Sequence, residues 1–114
     1  MVVAQGDIFW ADLPAPSGSE AGFRRPVVVV QGDAFNESAL RTVVCIPCTG
    51  NVRRADYPGN VLLRASSTGL ARDSVASVFQ ITAVDRTALL ERVGHVGRTD
   101  VECLLDTLDT VLGR

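Results

Sequence analysis

The chain predicts a mainly β fold with α: a small, strongly bent sheet or barrel with one C-terminal helix packed on its side. Three observations predict it. Short runs rich in Val, Ile, Thr and Phe recur as far as Val96, separated by Gly, Pro, Asn and Asp. The final stretch instead places its apolar residues at helical spacing. The 114 residues, 46% of them apolar, fit one domain, 1–114, whose core needs no metal or disulfide staple.

The elements follow in order. Residues 7–13 read as a first strand with bulky groups on both faces. Residues 14–23 form a long loop of small residues and prolines that cannot fold on itself. It leads to Arg24-Arg25-Pro26-Val27-Val28-Val29-Val30, so it overhangs the arginine pair in the manner of a lid. Four valines favour a strand packed on both faces. Pro26 has no amide proton, so this strand is expected to begin at or just after it.

A turn or short helical piece follows at 32–38, then a strand at 41–48 broken by Thr49-Gly50-Asn51. Further strands are expected at 60–63, over a longer stretch at 74–84, and at 93–96. Thr99-Asp100-Val101-Glu102 has the spacing of a capping box. Val101, Leu104, Leu105, Leu108, Val111 and Leu112 then share one helix face, and Gly113 ends the helix.

The net charge of −2 conceals an asymmetry. Residues 24–72 carry seven arginines against three acids, for a net +4, while the segments on either side are each −3. A basic middle on an acidic chain fits a confined anion site and not a basic coat for duplex DNA. No segment approaches the roughly 20 apolar residues of a membrane span, and the N-terminus has no leader pattern. The expected location is the cytoplasm.

Two places carry chemistry. Arg25 precedes a proline and is held extended at the mouth of an apolar strand, where a guanidinium suits a phosphate or carboxylate. An ion pair of the arginines with Glu20 or Asp33 is the structural alternative. Thr49 sits where a strand enters a turn. Its hydroxyl can donate to a phosphoryl oxygen, and Gly50 permits close approach of the backbone.

Taken in order, Gly6-Asp7-Ile8-Phe9-Trp10-Ala11-Asp12-Leu13, Gly18-Ser19-Glu20, the arginine–proline–valine run, Pro47-Cys48-Thr49, Asp73-Ser74-Val75 and Gln80 resemble the MazF/PemK/Kid family of toxin endoribonucleases. The resemblance covers nearly the whole chain. It implies an SH3-like barrel of the CcdB/MazF type, usually a homodimer. It implies metal-independent cleavage of single-stranded messenger RNA at short sequences, with no cofactor. It also implies a cognate antitoxin that blocks the groove, with DNA reached only indirectly through that antitoxin.

By this resemblance Arg25 and Thr49 are the catalytic pair, and Ser19, Glu20, Arg24, Asn51 and Gln80 contact RNA. The chain departs from the family at Ser19, where some members carry histidine, so an imidazole base is missing there. It departs again at Gly32 and after Gln80, which bears on the RNA sequence recognised. The alternative is a non-catalytic module of the same fold, either a gyrase-poison-like binder or an inactive RNA-binding relative.

Cys45-Ile46-Pro47-Cys48 has the spacing of a redox motif but falls on a strand, where positions i and i+3 face opposite sides. A zinc site from Cys45, Cys48, Cys103 and His95 has irregular spacing, and buried, reduced thiols are expected. His95 reads as a strand residue, Arg53-Arg54 as a solvated loop, and Trp10 as a core or dimer contact.

Overall fold

A computed structural model describes residues 1–19 and 21–114; Glu20 lies outside the described residues. Among the described residues seven strands form one antiparallel sheet: β1 (Asp7–Leu13), β2 (Phe23–Val29), β3 (Thr42–Thr49), β4 (Asn60–Leu63), β5 (Ser74–Ser77), β6 (Thr82–Asp85) and β7 (Leu89–His95). Two single-turn helices, α1 (Asp33–Asn36) and α2 (Ala65–Thr68), interrupt it, and α3 (Arg98–Val111) follows. The order along the sheet is β4-β5-β3-β2-β1-β7, with β6 also pairing β3.

The apolar residues explain why the sheet bends. Alternation along each strand sends side chains to two separate cores. Ile8, Val28, Val30, Ile46 and Cys48 join Leu63, Val96, Val101 and Leu104 in one. Phe9, Ala11, Val27, Val29, Val43 and Cys45 join Val84 and Leu89 in the other. The four valines are thus shared, two to each side. A sheet apolar on both faces must curl or be covered, and α3 covers the first face through Val101 and Leu104.

Four details differ from the sequence reading. β2 begins at Phe23, three residues before Pro26, because β1 is there to pair with it: Trp10 lies opposite Pro26 and Leu13 opposite Phe23. The ladder to β3 starts only at Val27, so the missing amide of Pro26 leaves no gap on that side. The expected long strand at 74–84 is two strands. β5 pairs with the end of β3 and β6 with its beginning, and a three-residue 3₁₀ turn, Val78–Gln80, takes up the offset between the two registers. β7 starts at Leu89, earlier than expected, and carries irregular register against β1. The capping box does not form: Gly97 is the N-cap of α3, with no side-chain cap bond.

The two ends of the 14–22 loop also depart from expectation, because Pro14 and Pro16 pack against Gly22 and Phe23. The Phe23 amide donates to Pro14 O at 3.3 Å. Gly22 packs so tightly under Pro14 and Pro16 that a Cβ there would meet the Pro14 carbonyl at 2.6 Å. Small residues give no core of their own, but the prolines supply stiff contacts and a carbonyl.

Asp7 anchors the other end of β1. Its carboxylate, almost fully buried, accepts from the Ala4 amide at 3.0 Å and from Arg92 Nε at 2.9 Å, and pairs with His95 Nδ1 at 3.2 Å. His95 therefore ends a strand, as its apolar neighbours suggested, and lies beside a carboxylate that they did not announce. Asp7→Ala leaves these donors without their acceptor and is expected to cost about 2–3 kcal/mol, read as a lowered midpoint in urea unfolding.

Cys45 and Cys48 are both buried and fall in different cores, as their spacing on a strand predicts. Burial pushes each thiol up to about 12; at Cys48 the charge of Arg25 offsets a little of this. Both stay protonated and sheltered at neutral pH. Cys103 is exposed on α3. A disulfide reagent at neutral pH is expected to modify Cys103 promptly in the native protein, and Cys45 and Cys48 only after unfolding, as followed by mass spectrometry.

Candidate active site

The β2–β3 ladder determines where Arg25 and Thr49 stand. Its pairs are Val29 with Cys45, Val28 with Ile46 and Val27 with Pro47. The ladder ends there: Arg25 lies two residues beyond its last pair on β2 and Thr49 two residues beyond it on β3, where β3 passes to β5 through Thr49 and Val75. By strand alternation Arg25 shares the face of Val27, which is in the second core, and Thr49 that of Pro47. Both side chains are half-buried, neither sealed in nor fully solvated. The charge of Arg25 is felt at Cys48, the neighbour of Thr49.

Each group is oriented by a local bond. Arg25 Nε donates to Gly22 O at 2.9 Å. That uses one of five guanidinium N–H groups and ties the arginine to the end of the 14–22 loop. Thr49 Oγ1 accepts from the Asn51 amide at 3.2 Å. Because that bond uses a lone pair, the hydroxyl proton can still be donated.

The remaining predicted residues are distributed unevenly. Arg24 is exposed, opposite Asp12, and by strand alternation faces away from Arg25. Ser19 is exposed on the loop, and Asn51 is exposed at the turn after β3. Gln80 accepts from the Ala21 amide at 3.1 Å, so it braces the loop against the β5–β6 connection. A recess of about 390 Å³ lies between them, lined by Pro14, Pro16, Ala21, Pro47, Gln80 and Thr82 among others. Asp33, a possible ion partner for the arginines, is taken by the Gln5 amide at 2.7 Å and Asn36 Nδ2 at 3.1 Å, which hold its carboxyl below the usual range.

One cation was not legible in the sequence. The Arg72 guanidinium lies directly over Gly50: a Cβ added there would stand 2.5 Å from Nη2 and 2.8 Å from Cζ. Gly50 does permit a close approach, but by a guanidinium. The pairing of Thr49 with Val75 swings Arg72 into this position, and no local pattern around residue 72 announces it. The two arginines come from the two neighbours of β3: Arg25 lies on β2, and Arg72 just before β5.

The fold is a bent, SH3-like barrel in which Arg72 packs on Gly50 and the charge of Arg25 reaches Cys48, on either side of Thr49 in sequence. The comparisons with known proteins narrow that class. The profile of the PemK-like, MazF-like toxins of type II toxin–antitoxin systems matches residues 4–112, and the chain belongs to that family. Endoribonuclease MazF2 of Mycobacterium bovis is 48% identical over 96 residues, 84% of either chain. Endoribonuclease EndoA of Bacillus subtilis is 35% identical over 112 residues, spanning 98% of this chain and 92% of that one. Among solved structures, MazF of Deinococcus radiodurans has a TM-score of 0.84 at 23% identity, covering 100% of this chain and 99% of that one. The MazE–MazF complex from the same organism gives 0.78 at 24% identity, covering 99% and 97%.

Proposed function

We propose that this chain is the toxin of a type II toxin–antitoxin pair: an endoribonuclease that cuts single-stranded messenger RNA, held in check by a cognate antitoxin. It acts as a homodimer in the cytoplasm, the whole chain forming one catalytic unit. Family membership and the endoribonuclease relatives support the class. The observation that supports the site is that Arg25 and Thr49 both lie two residues past the last β2–β3 pair, with the charge of Arg25 acting on Cys48 beside Thr49. Among the described residues no helix is long and apolar enough to cross a membrane.

The chemistry follows from the substrate. RNA carries its own nucleophile, the 2′-hydroxyl beside the scissile phosphate. Its oxygen bonds to phosphorus while the bond to the 5′-oxygen breaks; the 2′-hydroxyl gives up a proton and the departing 5′-oxygen gains one. The products are a 2′,3′-cyclic phosphate and a 5′-hydroxyl. The protein has to align the two oxygens and absorb charge on the phosphoryl group. Arg25 and Thr49 are assigned that work. Ser19, Glu20, Arg24, Asn51 and Gln80 are assigned contacts to the flanking RNA. Arg25 is assigned chiefly the stabilisation of charge in the transition state.

Incubating the protein with a long RNA in EDTA and mapping the new 5′ ends tests the reading. Cleavage at one short recurring sequence is the expected result. Intact RNA with tight binding would indicate an inactive relative, and neither cleavage nor binding a protein-binding module. Gly50→Ala is a sharper probe. The guanidinium it displaces is the free end of an exposed side chain, so unfolding should shift by less than about 0.5 kcal/mol. Cleavage is nonetheless expected to fall by about tenfold, the scale of one charge-assisted contact.

A further inference from the structure

We propose that Phe79 and Tyr57 form a stacking pocket for one unstacked base of the RNA, a site that rests on the ribonuclease reading but is separate from the Arg25–Thr49 pair. Phe79 is 59% exposed and Tyr57 60% exposed, an unusual state for two rings in one recess. That recess, about 390 Å³, is also lined by Arg54, Asn60, Ser77 and Gln80. Aromatic faces beside an arginine are the standard means of holding single-stranded nucleic acid, because every base has a π-face.

The platform is built in advance. Gly59 has φ +83°, a conformation that favours glycine. The Phe79 ring lies so close over Gly59 that a Cβ there would overlap it. One side of the ring is therefore fixed against backbone while the side chain remains largely open to solvent. The Val78 amide donates to Gly59 O at 3.1 Å, which locks the 3₁₀ turn to this loop. Asn60 Nδ2 donates to Arg54 O at 2.9 Å, and the Tyr57 amide to the same carbonyl at 3.1 Å. These bonds hold both ring-bearing segments in place, so little ordering remains to oppose binding.

Continuity and charge favour RNA as the occupant. Gln80 lines both this recess and the one beneath the 14–22 loop, and Asn51, two residues past Thr49, is the N-cap of the 3₁₀ turn Val52–Asp56 that carries Arg53 and Arg54. A strand leaving Thr49 along this turn would meet guanidiniums for its phosphates and rings for a base. Ser77 and Gln80 bring polar groups to the same recess, where a base presents its edge.

The test uses a single-stranded RNA about 12 nucleotides long, spanning the mapped cut, with a 2′-deoxy sugar at the cut to stop cleavage. 2-Aminopurine and abasic substitutions are moved along it one position at a time. One position is expected to show quenched 2-aminopurine fluorescence on binding. Phe79→Ala and Tyr57→Ala are expected to weaken binding about 5- to 100-fold with unchanged melting curves, and Phe79→Trp to retain it. An abasic residue at the quenched position should weaken the wild type but not Phe79→Ala, since the shared interaction is already gone.

Wild-type affinity in both alanine variants, or no position coupled to Phe79, overturns the pocket even if the wild type cleaves RNA. Loss of binding that tracks dissociation of a dimer in sedimentation assigns the rings to a subunit contact and also overturns it. If the wild type cuts nothing, oligo(U) and oligo(A) of the same length replace the probe. Coupling then upholds the pocket while the cleavage reading falls, and no binding removes both.

Discussion

Arg25→Ala is expected to lower the single-turnover rate of RNA cleavage by about 10²- to 10³-fold, the scale of removing one preorganised donor from a developing oxyanion. Arg25 stands at the rim of a buried core, where a charge is less screened than in open water. Its Nε bond to Gly22 O limits the ways the guanidinium can turn. Arg25→Lys keeps a positive charge but loses the planar fork and that bond, so it should recover only part of the rate. Near-native cleavage by the alanine variant would remove Arg25 from the reaction.

What could be read in the sequence was whatever one strand or one helix face decides alone. Ile8 and Phe9, the four valines, and the 101–108 stripe of α3 each declare their environment within a few residues. The features that escaped depend on a distant partner. β2 begins early because Trp10, Ala11 and Asp12 wait opposite Pro26, Arg25 and Arg24. The stretch from Ser74 to Asp85 breaks because β3 offers it two registers, neither of which is visible from residues 74–85 themselves. The capping box at Thr99 lost to Gly97, whose carbonyl takes the Val101 amide at 3.0 Å.

The site divides in the same way. Thr49 ends β3 and Arg25 precedes Pro26 within β2, each with a recognisable local reason. Arg72 and the Tyr57–Phe79 pair have no such signature. Gly50 and Gly59 were the available clues, since each makes room for a side chain far away in sequence. A glycine beside a predicted site says that something comes close, but not what.

Leu104→Ala is expected to lower stability by about 3 kcal/mol and the melting temperature by on the order of 10 °C. Leu104 is fully buried, in the core with Ile8, Val28 and Ile46. With Val101 it forms the buried face through which α3 covers the sheet. Truncation there opens a cavity between two rigid layers that cannot close over it. Leu112 is the control, 61% exposed just past the same helix; its change to alanine should stay within about 0.5 kcal/mol. Alanine is at least as good a helix former as leucine, so any difference between the two variants is burial and not propensity. If the denaturant slope also falls in Leu104→Ala, α3 has come loose as a unit, and the first core holds together without it. An unchanged slope with the full loss of stability means that helix and sheet unfold together, and that the rim carrying Arg25 and Thr49 is held by both cores.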